Sequence, residues 1–282
     1  MGRRIRALSL ALAFVILAGC APAPQPETEA PTQSTAPTTE PATQPPSIPP
    51  TEAPTEPPTE APTEPPTEPP TEAKLLVVID PGHQRNANYG KEPIGPGATE
   101  TKTMVSSGTQ GVVTRLEEYV LTLSLALKLE AELLARGYDV ILTRRDHDVD
   151  ISNAQRAEIA NNAGADAFIR IHGNAYSDAS VHGALTMCQT KNNPYNGALY
   201  TQSRALSEAV LNGLVRAAQC HKKSILELDT MSGINWCQVP VTIVEVGFMS
   251  NPEEDRLLST EDYQNKLATG MANGIDTYFS QP

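Results

Sequence analysis

The stretch VVIDPGHQ, Val77 to Gln84, opens as a β-branched apolar run and is stopped by Pro81-Gly82, which put a histidine, His83, into the following loop. Such a run bounded by Pro-Gly reads as a buried strand whose end presents an imidazole. Working outward, short β-branched runs alternate with longer helical ones. Glu118–Gly137 (EYVLTLSLALKLEAELLARG) follows a long loop, with Val120, Leu123, Leu127 and Leu134 spaced for one helical face and Gly137 as a stop. YDVILTR is a strand, ISNAQRAEIANNAG a helix capped by Ser152 or Asn153, and ADAFIRIH a strand ending on His172. HGALTMC, SRALSEAVLNGLVRAAQ, VTIVEVGF and EDYQNKLATGMANGIDTYF continue as strand, helix, strand and closing helix. The alternation predicts a single three-layer α/β/α domain with a mostly parallel central sheet, spanning residues 74–282.

What precedes the domain is different in kind. Residues 1–19 carry Arg3, Arg4 and Arg6 and then the apolar run ALSLALAFVILAG, which reads as an export signal. Its end, LAGC, resembles the lipobox of bacterial lipoproteins, implying a cut before Cys20 and a lipid on that residue. The alternative is an uncleaved membrane anchor; either places the rest outside the cytoplasm. Residues 20–73 are a run of Pro, Thr, Glu and Ala with almost nothing large and apolar to bury, so they are read as a disordered, extended tether. Its upper reach is on the order of 160 Å at the rise of polyproline II, enough to carry a domain from a membrane into a surrounding wall.

The net charge of -12 divides unevenly. The tether holds nine Glu and no Lys or Arg, and residues 74–282 hold 18 basic and 24 acidic residues. That moderate acidity, without a basic cluster, argues against a nucleic-acid partner. With Cys20 set aside for lipid, Cys188, Cys220 and Cys237 remain, an odd number without CxxC spacing. Neither a disulfide framework nor a thiolate zinc site follows; free thiols are expected, with a Cys188–Cys237 bridge as the alternative.

In open α/β sheets, function gathers beyond the carboxyl ends of strands. Three strands bring chemistry there: His83, His172, and Glu245 within the apolar run VTIVEVGF. A carboxylate inside such a strand is costly unless paired or set beside a cation. Glu117 and Glu118 stand where the first long helix begins. Two histidines and a carboxylate with one open position form a recurring catalytic zinc site, and a second carboxylate outside the ligand set can shuttle a proton. His147, His182 and His221 lack this context and are read as surface or loop residues.

Four ordered segments, VVIDPGHQ, the Glu-led helix ending in LLARGYDVILTRRD, AQRAEIANNAGADAFIRIHGNA and VTIVEVGFMSNPEED, resemble the signature segments of the zinc-dependent N-acetylmuramoyl-L-alanine amidases. The resemblance covers Lys74 to nearly the end. It implies Zn²⁺ held by His83, Glu118 and His172, with Glu245 as the catalytic carboxylate. Counting back from Gly137 and Arg144 favours Glu118 over Glu117. It also implies peptidoglycan as substrate, cut between N-acetylmuramic acid and L-alanine of the stem peptide, by a lipid-anchored protein reaching into the cell wall; it names no activating partner. Arg156 and Asn161 match the family's R…AN helix and are read as structural. Gln84–Leu116 is longer than the family's usual loop and is expected to form a rim or lid. Arg170 stands where a small residue is usual and is expected on the opposite face of its strand. A wall-binding module without turnover is the rival from another class, separated by metal content and turnover. A zinc peptidase cutting within the stem is the other, separated by its products.

Overall fold

The computed structural model describes residues 73–281. The expected signal, Cys20 and all but the end of the tether lie outside the described residues. In chain order the elements are β1 (Leu76–Pro81), β2 (Asn88–Pro93), β3 (Thr101–Val105), α1 (Glu118–Ala135), β4 (Asp139–Leu142), α2 (Asn153–Ala163) and β5 (Ala167–Asn174). They continue with β6 (Ala184–Cys188), α3 (Tyr200–Ala218), β7 (Lys222–Glu227), α4 (Ser232–Asn235), β8 (Val241–Phe248), α5 (Pro252–Leu258) and α6 (Glu261–Phe279). Among the described residues no helix is long and apolar enough to cross a membrane.

The main sheet has the order β4-β1-β5-β8-β6-β7. Its pairs are parallel except β6 with β8, so the sheet is mostly parallel as expected. Because strand side chains alternate between faces, each apolar strand feeds two cores. Val77, Ile79, Ile169, Ile171, Val244 and Val246 pack beneath α1, α3 and α6. Val78, Phe168, Leu185 and Ile243 pack on the opposite face with Ala157 and Ala160 of α2 and Ile234 of α4. Three layers result, and continuous apolar strands are what a sheet covered on both faces requires.

Local signals explain the element ends. Ser152, not Asn153, caps α2, in a capping box with Gln155. Gly137, at φ 90°, turns the chain out of α1 while the Tyr138 N–H bonds to the Leu133 carbonyl. Asn251 accepts from the Glu253 and Glu254 N–H groups at the start of α5.

The structure corrects several expectations. The core face of α1 is Leu121, Leu125, Leu129 and Leu133, all fully buried, whereas Leu127 and Leu134 are 41% and 52% exposed. Leucines surround this helix, so its sequence periodicity has no unique phase, and contact with the sheet and α6 selects the buried side. Arg170 does not leave the site face; it lies two residues before His172 in β5, on the same side, and is buried. Nor does Pro81 end strand pairing: it lies opposite Ile171, and the Gly82 N–H still bonds to the Ile171 carbonyl. The residue that turns the chain away is His83 itself, at φ 61°, in the left-handed region. Cys188, Cys220 and Cys237 are free thiols, without the alternative bridge.

The long segment between Gln84 and Leu116 contains the hairpin β2–β3, which the sequence reading missed, and it is tied to the body. The buried Glu92 carboxylate accepts from the Ala154 N–H at the start of α2 and from the Ser232 hydroxyl of α4. Trp236 Nε1 donates to the Pro93 carbonyl, and Lys102 Nζ to that of Thr230.

Beneath the His83 loop lies a buried ionic knot. Asp80, fully buried, accepts from Arg156 Nη1 at 2.7 Å, Arg170 Nε at 2.9 Å and the Thr143 hydroxyl at 2.5 Å. Burial alone would raise its pKa, but Arg156 and Arg170 outweigh that and hold the carboxyl well below the usual range. A carboxyl depressed in the folded state stabilises the fold above its unfolded pKa, near 4, and that contribution is lost as pH falls toward the folded value. Asp80→Asn leaves two buried guanidinium groups without a countercharge and is expected to lower the unfolding free energy by about 3–5 kcal/mol at neutral pH. Urea denaturation of the variant beside the parent chain checks this, and a loss under about 1 kcal/mol would contradict the knot's role.

Candidate metal centre

His83, Glu118 and His172 come together at the carboxyl ends of β1 and β5, where α1 begins. His83 follows β1 directly, His172 lies near the end of β5, and Glu118 is the first residue of α1, with Glu117 as its N-cap. His83 Nε2 lies 3.0 Å from Glu118 Oε1, His172 Nδ1 lies 3.2 Å from the same oxygen, and the two nitrogens are 3.1 Å apart. The rings meet edge to face. Among the described residues this is the one group of His, Cys, Asp and Glu side chains close enough to hold a metal ion. Glu117 points elsewhere, accepting from the Gln110 side chain at 2.6 Å.

Each side chain is held from behind. His83 Nδ1 bonds to the Ser106 carbonyl at 2.9 Å. Glu118 Oε2 accepts from the Thr109 N–H at 2.7 Å, and Oε1 from the Gly173 N–H at 3.0 Å. The ring of His172 lies across the α-carbon of Gly82, where any side chain would run into it. The glycine before His83 is therefore needed for the other histidine, a close approach that only a residue without Cβ allows.

The electrostatics are those of a buried carboxylate between two imidazoles. Burial alone would raise the pKa of Glu118, but the two histidines overcome it and depress it strongly. Burial opposes charge on His83, yet Glu118 outweighs burial and raises its pKa. Burial dominates at His172, which is lowered.

Glu245 stands beside His172 on β8, the two in register across the β5–β8 pair. The residue keeps partial exposure, but its Oε2 is buried with no hydrogen-bond partner. Burial, reinforced by the Glu118 carboxylate, pushes its pKa up to about 8. An orphaned carboxylate oxygen in a strand interior is uncommon and marks a site that something else completes.

The remaining histidines stay apart. His147 packs edge-on against Tyr119 rather than standing free in solvent, and His182 and His221 face each other at 5.2 Å on exposed positions. Asn161 bridges the Trp236 carbonyl and the Gln238 N–H, as a structural residue would. Sequence reasoning read Arg156 as structural, which it is, but missed Arg144 and the loop that both arginines hold. Arg156 bonds to the Pro81 and His83 carbonyls, and Arg144 to those of Pro81, Gly82 and Tyr119. Asp80 was the available signal, since a carboxylate at the end of an apolar strand needs a partner as much as Glu245 does.

The profile of the N-acetylmuramoyl-L-alanine amidase family matches residues 77–277. The amidase AmiA of Salmonella typhimurium is 28% identical over 243 residues, which cover 73% of this chain and 77% of that protein. AmiC of Neisseria meningitidis is 27% identical over the same share of this chain, which spans only 53% of that longer protein. Among solved structures, the apo form of Ami1 from Mycobacterium abscessus superposes with a TM-score of 0.67 at 26% identity, covering 74% of this chain and all of that one. The catalytic domain of CwlV from Bacillus (Paenibacillus) polymyxa gives 0.58 at 28% identity, covering 73% and 98%. With the profile running from β1 into α6 through every segment that builds the site, the chain belongs to the N-acetylmuramoyl-L-alanine amidase family.

Proposed function

We propose that the protein is a zinc-dependent peptidoglycan hydrolase that cuts the amide between the lactyl group of N-acetylmuramic acid and L-alanine of the stem peptide. The observation that carries this reading is the meeting of His83 Nε2, His172 Nδ1 and Glu118 Oε1, with Glu245 beside them and its Oε2 unpartnered. The donor set fits zinc in kind, being two imidazole nitrogens and a carboxylate oxygen. It also fits in size, because ligands about 2.0–2.1 Å from a tetrahedral zinc stand roughly 3.3 Å apart, close to the spacings seen among the three atoms.

When bound, zinc supplies a Lewis acid that polarises a carbonyl and lowers the pKa of water. The chain's own residues do the rest. His83 and His172 are partly open to solvent, so substrate and water reach the site. Glu245 is protonated around neutral pH in the cation-free chain, but an opposite charge nearby lowers a carboxylate's pKa. In the loaded site it is then ionised and takes the proton of the attacking water at its oxygen. As the carbonyl carbon gains the water oxygen and the carbon–nitrogen bond breaks, Glu245 returns that proton to the leaving L-alanine amine. The same carboxylate serves as base and then as acid.

In the whole protein, we read residues 1–19 as a signal, Cys20 as lipidated and 20–73 as a tether that carries the catalytic domain, 74–282, into the wall. Lipidation at Cys20 accounts for anchoring outside the cytoplasm, and a single chain being marginal, a diacylglyceryl group is expected.

Three outcomes test this reading. Digestion of purified peptidoglycan should release intact stem peptides with free L-alanine amino termini, identified by mass spectrometry. Cuts confined to the interior of the stem would instead make the protein a peptidase. Glu245→Gln should keep about one zinc per chain by elemental analysis while slowing hydrolysis by roughly 10²–10⁴, whereas Glu118→Ala should lose the metal and Glu117→Ala keep it. Loss of zinc from Glu245→Gln would make Glu245 a ligand rather than a base. Finally, Cys20→Ser should move the protein from the membrane fraction to the medium, and unchanged lipid labelling would refute the anchor.

A further inference from the structure

The segment Ser106–Thr109 follows β3 within the long insertion and runs directly over two of the three converging side chains. Four contacts define it. The Ser106 carbonyl meets His83 Nδ1 at 2.9 Å, while its hydroxyl stands farther off, at 3.3 Å. The Thr109 N–H donates to Glu118 Oε2 at 2.7 Å, and the Thr109 carbonyl accepts the Glu118 N–H at 2.9 Å. Between them Gly108 has φ 83°, and a Cβ there would stand 2.8 Å from Glu118 Oε2 and 3.0 Å from the His83 ring.

We propose that Ser106–Thr109 is a positioning strap that fixes which atoms of His83 and Glu118 face the metal, and that Gly108 is the residue that lets it lie close enough. This rests on the reading that His83, Glu118 and His172 hold zinc. A carbonyl oxygen has no proton to give, so the bond to Ser106 requires the hydrogen to be on His83 Nδ1 and turns the Nε2 lone pair inward. The Thr109 N–H occupies Glu118 Oε2, so Oε1 is the oxygen that faces both histidines. Groups that hold a ligand from behind in this way set its orientation and basicity.

The strap is fixed by what lies on either side of it. Upstream, Asn153 Nδ2 holds the Met104 carbonyl, and Glu92 ties the hairpin to α2 and α4. Downstream, Gln110 bridges to Glu117, and buried Asp255 accepts the Val113 and Thr114 N–H groups in the turn that follows. The insertion is thus a standing wall of the site, not a lid that must swing for the ligands to form.

The test measures zinc affinity of the full chain by competition with a chromophoric chelator, with circular dichroism melts of the zinc-free protein alongside. Gly108→Ala strains the backbone and pushes on both ligands, so its zinc dissociation constant should rise by about 10- to 100-fold, the usual effect of disturbing such supporting groups. Should Gly108→Ala fail to fold, the parent chain still decides: nitrogen-15 spectra of its zinc-loaded form should show His83 bound through Nε2 with a proton on Nδ1. Parent-like affinity in a folded Gly108→Ala, or His83 bound through Nδ1, would overturn the strap and leave the metal reading standing. A parent chain that takes up no zinc would overturn both.

Discussion

The site is built on one buried carboxylate. Asp80 lies at the end of β1 with two guanidinium groups, from α2 and β5, and the Thr143 hydroxyl just beyond β4. The paired strands β1 and β5, the helix α2 above them and the residue after β4 are therefore joined at a point without solvent. Arg156 and Arg144 then extend the grip onto the carbonyls of Pro81, Gly82 and His83. Buried cations outnumber buried anions there, and the surplus charge is taken up by backbone oxygens of the loop that presents His83. Removing one member of such a network costs more than any single contact suggests, because the others are left charged and dry.

Above the knot, the arrangement of the site follows from charges that cannot be left alone. Two imidazoles meet one carboxylate at about hydrogen-bond distance, and each is held at its far side by a backbone group or a glycine surface. Glu245, in contrast, has no partner at Oε2 and is raised toward neutrality. The two carboxylates thus sit in opposite electrostatic states within one site: Glu118 held ionised by its neighbours, Glu245 held back from ionising by burial and by Glu118.

The insertion between β1 and α1 shows how a segment without strong local signals acquires a defined place. Its strands are short and mostly only partly buried or exposed, and little in their composition marks them as a hairpin. What orders them is contact: a buried glutamate at the start of a helix, an indole N–H on a carbonyl, a lysine on another. Each partner lies far along the chain, between about 60 and 140 residues away. Ser106–Thr109 meet His83 and Glu118 because the segment begins just after the one and ends just before the other.

Much of this was legible in the sequence, and for a common reason. The strands of the main sheet other than edge strand β7, four of the helices, His83, His172 and the need of Glu245 for a partner all follow from local patterns: β-branched runs, caps, glycine stops and a carboxylate where apolar residues belong. The boundaries of β8 and α6 agree with the expected segments residue for residue. The buried face of α1, the burial of Arg170 and the role of Asp80 did not follow. Leucines on every side of α1 give a helix without choosing its direction, and an arginine in a strand reads as exposed until a countercharge ninety residues earlier is brought beside it. By itself the sequence determined five strands of the main sheet, the four long helices and which side chains have metal-binding chemistry, because those depend on neighbours within a turn or a strand. The tertiary structure alone decided which face is buried, which oxygen of Glu118 meets both histidines and what holds them, because those depend on distances between residues far apart in the chain.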